Sequence, residues 1–288
     1  MLGCRVNARM PSAVIVPAHN EESVLGTTIA ALLEGLDDDV HLLVVANGCT
    51  DRTVAVAMGF EPRVRVLDLP DASKPRALNA AEAEVVESAD RVYIDADVLI
   101  SGADVVRLLA ATARGAAAAE PTVVFDTSSS GFLVKSFYRV WTALHGARPG
   151  DIGGGVLAVS AAGRRRFGSF PDVISDDGFV RANFPDGDLV RVDDAVSTVR
   201  APSDVGSLIR IKTRSRVGSV ELRRRFPELW DRKTAHSKNL RARASSLPVA
   251  VWPLVPLYVA IQVTVRVRAE LQLKRGVARW ERDESSRQ

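Results

Sequence analysis

Four short β-branched runs in the first hundred residues, alternating with Ala/Leu-rich stretches, limit what this chain can fold into more than any other feature. SAVIVPA (12–18), VHLLVVAN (40–47), RVRVLDL (63–69) and RVYIDA (91–96) are each too short for a typical helix, and each ends in turn chemistry. Between them, EESVLGTTIAALLEGL (21–36), DRTVAVAMGF (51–60) and SKPRALNAAEAEVVESA (73–89) carry apolar residues at helical spacing. Strand–helix alternation of this kind requires right-handed crossovers and a mainly parallel sheet. In such sheets ligands bind beyond the C-terminal ends of the strands. The polar motifs do lie immediately after the apolar runs.

Further along, GADVVRLLAATARGAAAA (102–119) reads as a helix and PTVVFD (121–126) as a strand. SSSGFLVKSFYRVWTALHGA (128–147) reads as a loop entering a helix, and GGGVLAVS (153–160) as glycines entering another strand. The chain has 288 residues, 47% hydrophobic and 25% charged, which is a globular composition able to bury a sizeable core. Cys4 and Cys49 are too few for a disulfide framework or a cysteine-rich zinc site, in keeping with a reducing cytoplasm. Arg5 and Arg9 interrupt any apolar run before Pro11, so no secretory signal is expected.

The net charge of +3 conceals an asymmetry. Residues 1–199 carry 18 Lys and Arg against 27 Asp and Glu, whereas residues 200–288 carry 20 against 8. A basic C-terminal third suits an anionic partner such as phosphate or an anionic membrane surface, or else a solvated helix face. Within it, residues 247–265 (LPVAVWPLVPLYVAIQVTV) hold no charge, between the arginines of RARASS and RVRAELQLKRG. A spanning helix needs about 20 apolar residues, but Pro248, Pro253 and Pro256 break or kink the first half of this one. Three placements stay open: a spanning or re-entrant segment, an interfacial element, and a hairpin packed on the preceding domain.

Taken singly, the motifs have ordinary structural readings. In VIVPAHNEES, Asn20 or Ser23 can cap the next helix, and the GxGxxG of a dinucleotide loop is absent. In ANGCTDRT, Asn47-Gly48 is turn chemistry and Thr50 or Asp51 an N-cap. Lys74 and Arg76 enter a helix start, where an anion is favoured. Asp95 and Asp97, one residue apart, suit either a capped turn or a hard divalent cation that bridges substrate phosphates.

Their order carries more information than any one of them. PAHNEE, NGCTD, KPRALNAA and DAD, followed by GGGVLAVS, ISDDGFVRANFP and TRSRVG, resemble the family 2 glycosyltransferases of the GT-A fold over roughly residues 12 to 220. The resemblance implies an α/β, Rossmann-like, mainly parallel mixed sheet flanked by helices, with a helical, partly apolar C-terminal extension. It divides the chain into a catalytic domain, 1–225, and a basic and apolar extension, 226–288. It implies that Pro17, Ala18, Asn20 and Glu21 line the nucleotide pocket and that Asp51 contacts the base. Lys74 and Asn79 match a K-G-x-A-x-N pattern, with Pro75 where the family usually has Gly. Asn47 and Arg214 complete the expected nucleotide-sugar-binding set. Asp97 is expected to bind Mg2+ or Mn2+ directly, and Asp95 to address ribose or metal-bound water. Asp177, with Asp176 beside it, is expected to be the general base, the alternative being an Asp-Asp-Gly turn. Thr213 and Val217 replace the Gln and Trp of the Q-x-x-R-W element of processive relatives, while Arg216 keeps its cation. Arg214, Arg216 or Lys212 is expected to hold the leaving diphosphate, with Arg216 assisting its departure.

The expected activity is metal-dependent, inverting transfer of a sugar from a nucleoside diphosphate to an acceptor hydroxyl, for cell-envelope, polysaccharide or glycolipid synthesis. The rivals are a sugar-nucleotidyltransferase and a non-catalytic, membrane-associated nucleotide-sugar-binding protein. No nucleic acid partner is expected, since the basic tail has no aromatic stacking platform. The expected location is the cytoplasm, at the membrane face through residues 247–265.

Overall fold

In the computed structural model of the chain, residues 12–145, 152–185, 187–229 and 247–275 are described. Cys4, Arg5 and Arg9, His236, the arginines of 241–246 and residues beyond 275 lie outside them. Eight strands form one mixed sheet in the order β3-β2-β1-β4-β7-β6-β8-β5. The first half is the expected parallel wing: β1 (Ala13–Ala18) lies between β2 (His41–Asn47) and β4 (Arg91–Ile94), and β3 (Val64–Leu69) forms the edge. The helices between them are α1 (Leu25–Leu33), α2 (Thr53–Met58) and α3 (Lys74–Glu84).

Every residue of β1 is buried, and its alternation feeds two cores. Val14 and Val16 pack with Leu25, Ile29 and Leu32 of α1, while Ala13 and Ile15 pack with Ala77, Leu78 and Ala81 of α3. A strand covered on both faces has no polar side to alternate with, which is why SAVIVPA reads as a continuous apolar run.

The second half is less regular. β5 (Val98–Ile100) follows directly on the Asp95–Asp97 turn. α4 (Gly102–Ala113) then leads to β6 (Ala118–Asp126), α5 (Phe132–His145) and β7 (Val156–Val159). Short α6 (Ala161–Arg164) and α7 (Asp176–Ala182) precede β8 (Leu189–Arg200) and the long α8 (Val205–Arg225). β7 runs antiparallel to β4 and β6, and β5 antiparallel to β8.

Two boundaries differ from the sequence expectation. The alanines after Arg114 do not extend α4, because Gly115 turns the chain at φ +108 and Ala118 and Ala119 enter β6 fully buried. β6 therefore begins before PTVVFD, and Pro121 sits at the irregularity where its pairing with β8 jumps from Val192 to Val196. The residues around TRSRVG, for which no element was expected, lie inside α8.

At the C-terminus a 3-10 turn (Val249–Leu254) containing Pro253 passes into α9 (Val255–Lys274). Pro256 occupies the first turn of α9, where its missing N–H breaks no helical bond. The prolines thus convert the start of the segment into a 3-10 turn and leave Val255–Lys274 as α-helix. Tyr258, Ile261, Val265 and Ala269 of α9 are buried, and a third core forms where the first three of them meet Val134, Phe137 and Val140 of α5 and Leu208 of α8.

Candidate active site

The C-terminal ends of β1 and β2 carry the first set of expected site residues. Asn47 is buried, and its side-chain amide donates to the Ala18 carbonyl at 2.8 Å, tying the two strand ends together. Asn20 adopts φ +51, a conformation Asn tolerates, and its Oδ1 accepts the Thr50 N–H at 2.7 Å. Asp51 accepts from the Thr53 N–H (3.0 Å), the Thr53 hydroxyl (2.5 Å) and the Glu22 N–H (3.2 Å). Partial burial opposes ionisation of Asp51, but these hydrogen bonds outweigh it and hold the carboxyl below its usual range. Glu21 is buried, and its N–H donates to Thr53 Oγ1 at 2.7 Å. The expected caps do not form: α1 is preceded by Val24 and α2 by Arg52, neither with a side-chain cap, and Asn20 and Asp51 instead brace two loops against each other. Gly48, at φ +58, closes the same ledge, because a Cβ there would lie 2.5 Å from the backbone nitrogen of Ala72.

The end of β4 carries the second set. The Val98 N–H donates to the Asp95 carbonyl at 3.0 Å, making a tight turn with Asp97 exposed at its apex. Buried Thr28 of α1 fixes that turn through a 2.8 Å bond from its hydroxyl to the Ala96 carbonyl. Asp95 faces inward, and its N–H donates to the Gly155 carbonyl at 2.8 Å. From α3, Lys74 reaches across with Nζ 2.7 Å from Asp95 Oδ1 and 2.8 Å from Asp176 Oδ2. The expected metal-side carboxylate and the expected acceptor-side carboxylate thus share one ammonium.

Burial alone would lower the Lys74 pKa, but Asp176 and then Asp95 outweigh it, and the group stays protonated well above the ordinary lysine range. Asp176 is raised above the usual carboxylate range. Its burial is the main cause, Lys74 opposes it, and the nearby charges of Asp177 and Asp95 add to it. Asp177, one residue on, is exposed and accepts from the Ser175 hydroxyl at 3.2 Å. Behind it, Arg181 of α7 pairs with Glu120 of β6, both buried, and donates to the Val156 carbonyl at 3.3 Å. That pair fixes α7, and with it Asp176 and Asp177, onto the sheet. Breaking a buried pair from one side costs about 3–5 kcal/mol.

Sequence reasoning missed the positioning residues. Gly153, Gly154 and Gly155 were expected only to enter a strand, yet Gly153 and Gly155 lie against the two carboxylate sets while Gly154 packs on Val123. A Cβ on Gly153 would stand 2.7 Å from Asp177 Oδ2, and one on Gly155, at φ +68, 2.8 Å from Asp95 Oδ2. Three glycines in a row before a strand were the available signal. Asn79, matched in the sequence, exchanges two bonds with the Phe170 backbone (2.8 and 3.0 Å) and so holds the loop leading to α7. Pro17, Leu78, Tyr93, Phe170 and Leu157 floor a cavity beneath Lys74, Asp95, Asp176 and Asp177.

The two arginines of TRSRVG separate. Gly218 of α8 packs on Ile174 and Ser175, immediately before α7. Arg214 lies one helical turn earlier on that same face, whereas Arg216 is exposed and about 200° around the helix. Lys212 points elsewhere, with its ammonium 4.0 Å from the Trp141 ring centroid and 5.4 Å from that of Tyr138. Asp90 lies at the other end of β4, accepting from Thr112 and from the Ala161 N–H.

Among the described residues no three His, Cys, Asp or Glu side chains converge as a metal cage. Of the two aspartates at the end of β4, Asp97 is exposed and Asp95 is engaged by Lys74; Mg2+ and Mn2+ take few protein carboxylates and complete their shell with substrate phosphates and water.

Residues 13–167 match the family model described as Glycosyl transferase family 2. Among solved structures, a mannosyltransferase from Pyrobaculum calidifontis in complex with GDP-Man and Mn2+ is 21% identical, with a TM-score of 0.60, over 94% of this chain and 80% of that one. Glucosyl-3-phosphoglycerate synthase from Mycobacterium tuberculosis, in complex with Mn2+, uridine diphosphate and glucosyl-3-phosphoglycerate, is 20% identical with a TM-score of 0.54, over 75% of this chain and 80% of that one. At these identities the likeness is one of fold. No curated protein matches significantly.

Proposed function

The chain belongs to glycosyl transferase family 2, and from that premise we propose that it moves a sugar from a nucleoside diphosphate donor to an acceptor hydroxyl with inversion. The observation that carries this reading is the meeting of Asp95 and Asp176 on Lys74 at the end of β4, each with a second, exposed carboxylate close by in the chain, Asp97 and Asp177. Inverting displacement at an anomeric carbon needs a base on one side and stabilisation of the leaving phosphate on the other. Asp177 is the base: it is the exposed member of its pair, while Asp176 is engaged by Lys74. Asp97 and Asp95 hold Mg2+ or Mn2+, which when bound neutralises charge on the diphosphate. The ledge at Pro17, Ala18, Asn20, Glu21, Asn47 and Asp51 receives the nucleotide, with Asp51 toward the base. Arg214 is better placed than Arg216 to meet the diphosphate, because it shares the face of α8 that packs before α7. The Mn2+ and nucleotides in the two solved relatives support the same assignment.

Release of nucleoside diphosphate from a panel of UDP-, GDP- and dTDP-sugars with Mn2+ tests the reaction. Transfer is expected to disappear in EDTA. Asp177→Asn should lose about 10²–10⁴-fold in turnover while keeping donor-induced thermal stabilisation. Full turnover by Asp177→Asn would remove the base assignment, and activity without metal would remove the metal. Release of pyrophosphate instead would identify a nucleotidyltransferase.

In this reading residues 1–225 are the catalytic unit and 226–288 an extension that seats it on an anionic membrane surface at the cytoplasmic face. Val249–Lys274 is long and apolar enough to cross a bilayer by length and composition. One face of α9 is nevertheless committed to α5 and α8. The opposite side exposes Val259, Val263, Val267 and Leu271, and the preceding 3-10 turn exposes Trp252; Arg266, Lys274 and Arg275, with Glu270, are the exposed charges nearby. An apolar stripe bordered by cations favours lying on the membrane over spanning it.

A further inference from the structure

Lys74 Nζ contacts one carboxylate from each half of the site, Asp95 Oδ1 at 2.7 Å and Asp176 Oδ2 at 2.8 Å. Its position is set from both sides. The backbone enters α3 directly after the Ser73 cap, and the cavity beneath it is floored by Pro17, Leu78, Tyr93 and Phe170. The one polar group on that floor, the Tyr93 hydroxyl, already donates to Glu82 at 2.6 Å. The floor itself is otherwise apolar, so the ammonium's partners are the carboxylates at the cavity's rim.

A divalent cation at Asp95 and an ammonium on the same carboxylate compete for the same oxygens and repel each other. Resting on the reading that Asp95 and Asp97 hold the metal, we propose that Lys74 is the resident counter-ion of Asp95 in the metal-free protein, and that the divalent cation displaces it toward Asp176. Loading of the donor side then acts on the acceptor side through one side chain. As Asp95 turns to the metal, Asp176 becomes the sole carboxylate bound by Lys74, and the first turn of α7 carrying Asp177 is drawn to a fixed position. Lys74 is in this sense a positioning residue, and the coupling is reciprocal: what strengthens its bond to Asp95 weakens metal binding.

Titration of the full-length protein with Mn2+ alone, followed by loss of the free-ion EPR signal, tests the proposal. Lys74→Gln removes the competing cation and is expected to bind Mn2+ about fivefold tighter or more. Lys74→Arg keeps the charge and is expected to bind no tighter than wild type. Transfer assays on the same proteins should show Lys74→Gln with reduced kcat, because Asp176 has lost its anchor, and Lys74→Arg with part of it restored. Should the glutamine variant fail to fold, Lys74→Met, which suits the apolar floor, gives the same reading. Mn2+ affinity in the neutral variants equal to or below wild type, including no binding by either, overturns the proposal. Asp97→Ala separates the two levels. If it leaves Mn2+ affinity unchanged, the metal assignment has failed; if it abolishes binding while Lys74→Gln has no effect, only the displacement has failed.

Discussion

At the scale of single residues, the site depends as much on missing side chains as on present ones. Gly155 combines a left-handed backbone with contact against Asp95 Oδ2 and Val98 Cγ2, both 2.8 Å from where a Cβ would stand. A non-glycine residue in that conformation costs about 1–2 kcal/mol by itself. Gly115 supplies the control, because its φ is +108 and nothing lies within 4 Å of its Cβ position. Gly155→Ala and Gly115→Ala should both lower the melting temperature by a few degrees. Only Gly155→Ala should also weaken donor binding, read as KM for the nucleotide sugar, because it pushes Asp95 aside. Equal KM values in the two variants would show that Gly155 serves the backbone alone. The run of glycines in GGGVLAVS was legible, but the sequence does not say which carboxylate a glycine approaches. The Asp95–Asp97 pair was legible as a pair, yet its inward and outward division came from the turn that Thr28 pins.

At the scale of elements, periodicity identified the parallel wing because β1, β2 and β4 are covered on both faces and give apolar runs, with β3 at the half-buried edge. It missed β8, whose residues 193 and 194 are exposed aspartates beside the pairing irregularity with Pro121. It also missed α8, whose basic composition hides a buried stripe at Leu208, Thr213, Val217 and Leu222. In α9 both faces are apolar, so the sequence showed hydrophobicity without direction. Docking against α5 assigns Tyr258, which stacks on Phe137 at 5.1 Å, to the inside, and Val263 and Val267, each 52% exposed, to the outside. Glutamate at both Val263 and Val267 should therefore abolish flotation with anionic liposomes and leave the melting temperature nearly unchanged. Ile261→Glu, on the buried face, should instead destabilise the fold. Undiminished flotation of the double variant would exclude this stripe as the membrane contact.

At the scale of the whole molecule, the helical layer of α5, α8 and α9 meets around Lys212, whose ammonium faces ring planes of Trp141, Tyr138 and Phe137. Loss of solvent lowers its pKa from 10.5 to about 8. Between those values the unfolded chain holds a proton that the folded one has released, so this group's contribution to stability rises with pH across that window. It is fully present above 10.5 and is lost as pH falls through about 8. The melting temperature of Lys212→Met relative to wild type should accordingly be most favourable near pH 7 and decline toward pH 10. A difference that stays flat over that range would mean the aromatic faces fully replace the lost water.

The linear chain determined whatever depends on neighbours a few residues away. That covers the alternation of strand and helix, the polar motifs after each apolar run, and a family resemblance strong enough to imply a glycosyltransferase. Tertiary structure alone decided which carboxylates share Lys74, which arginine of α8 faces α7, and which side of α9 stays open. Those relations join residues 74, 95 and 176, or 137 and 258, and they are fixed by crossovers, sheet order and burial rather than by spacing along the chain.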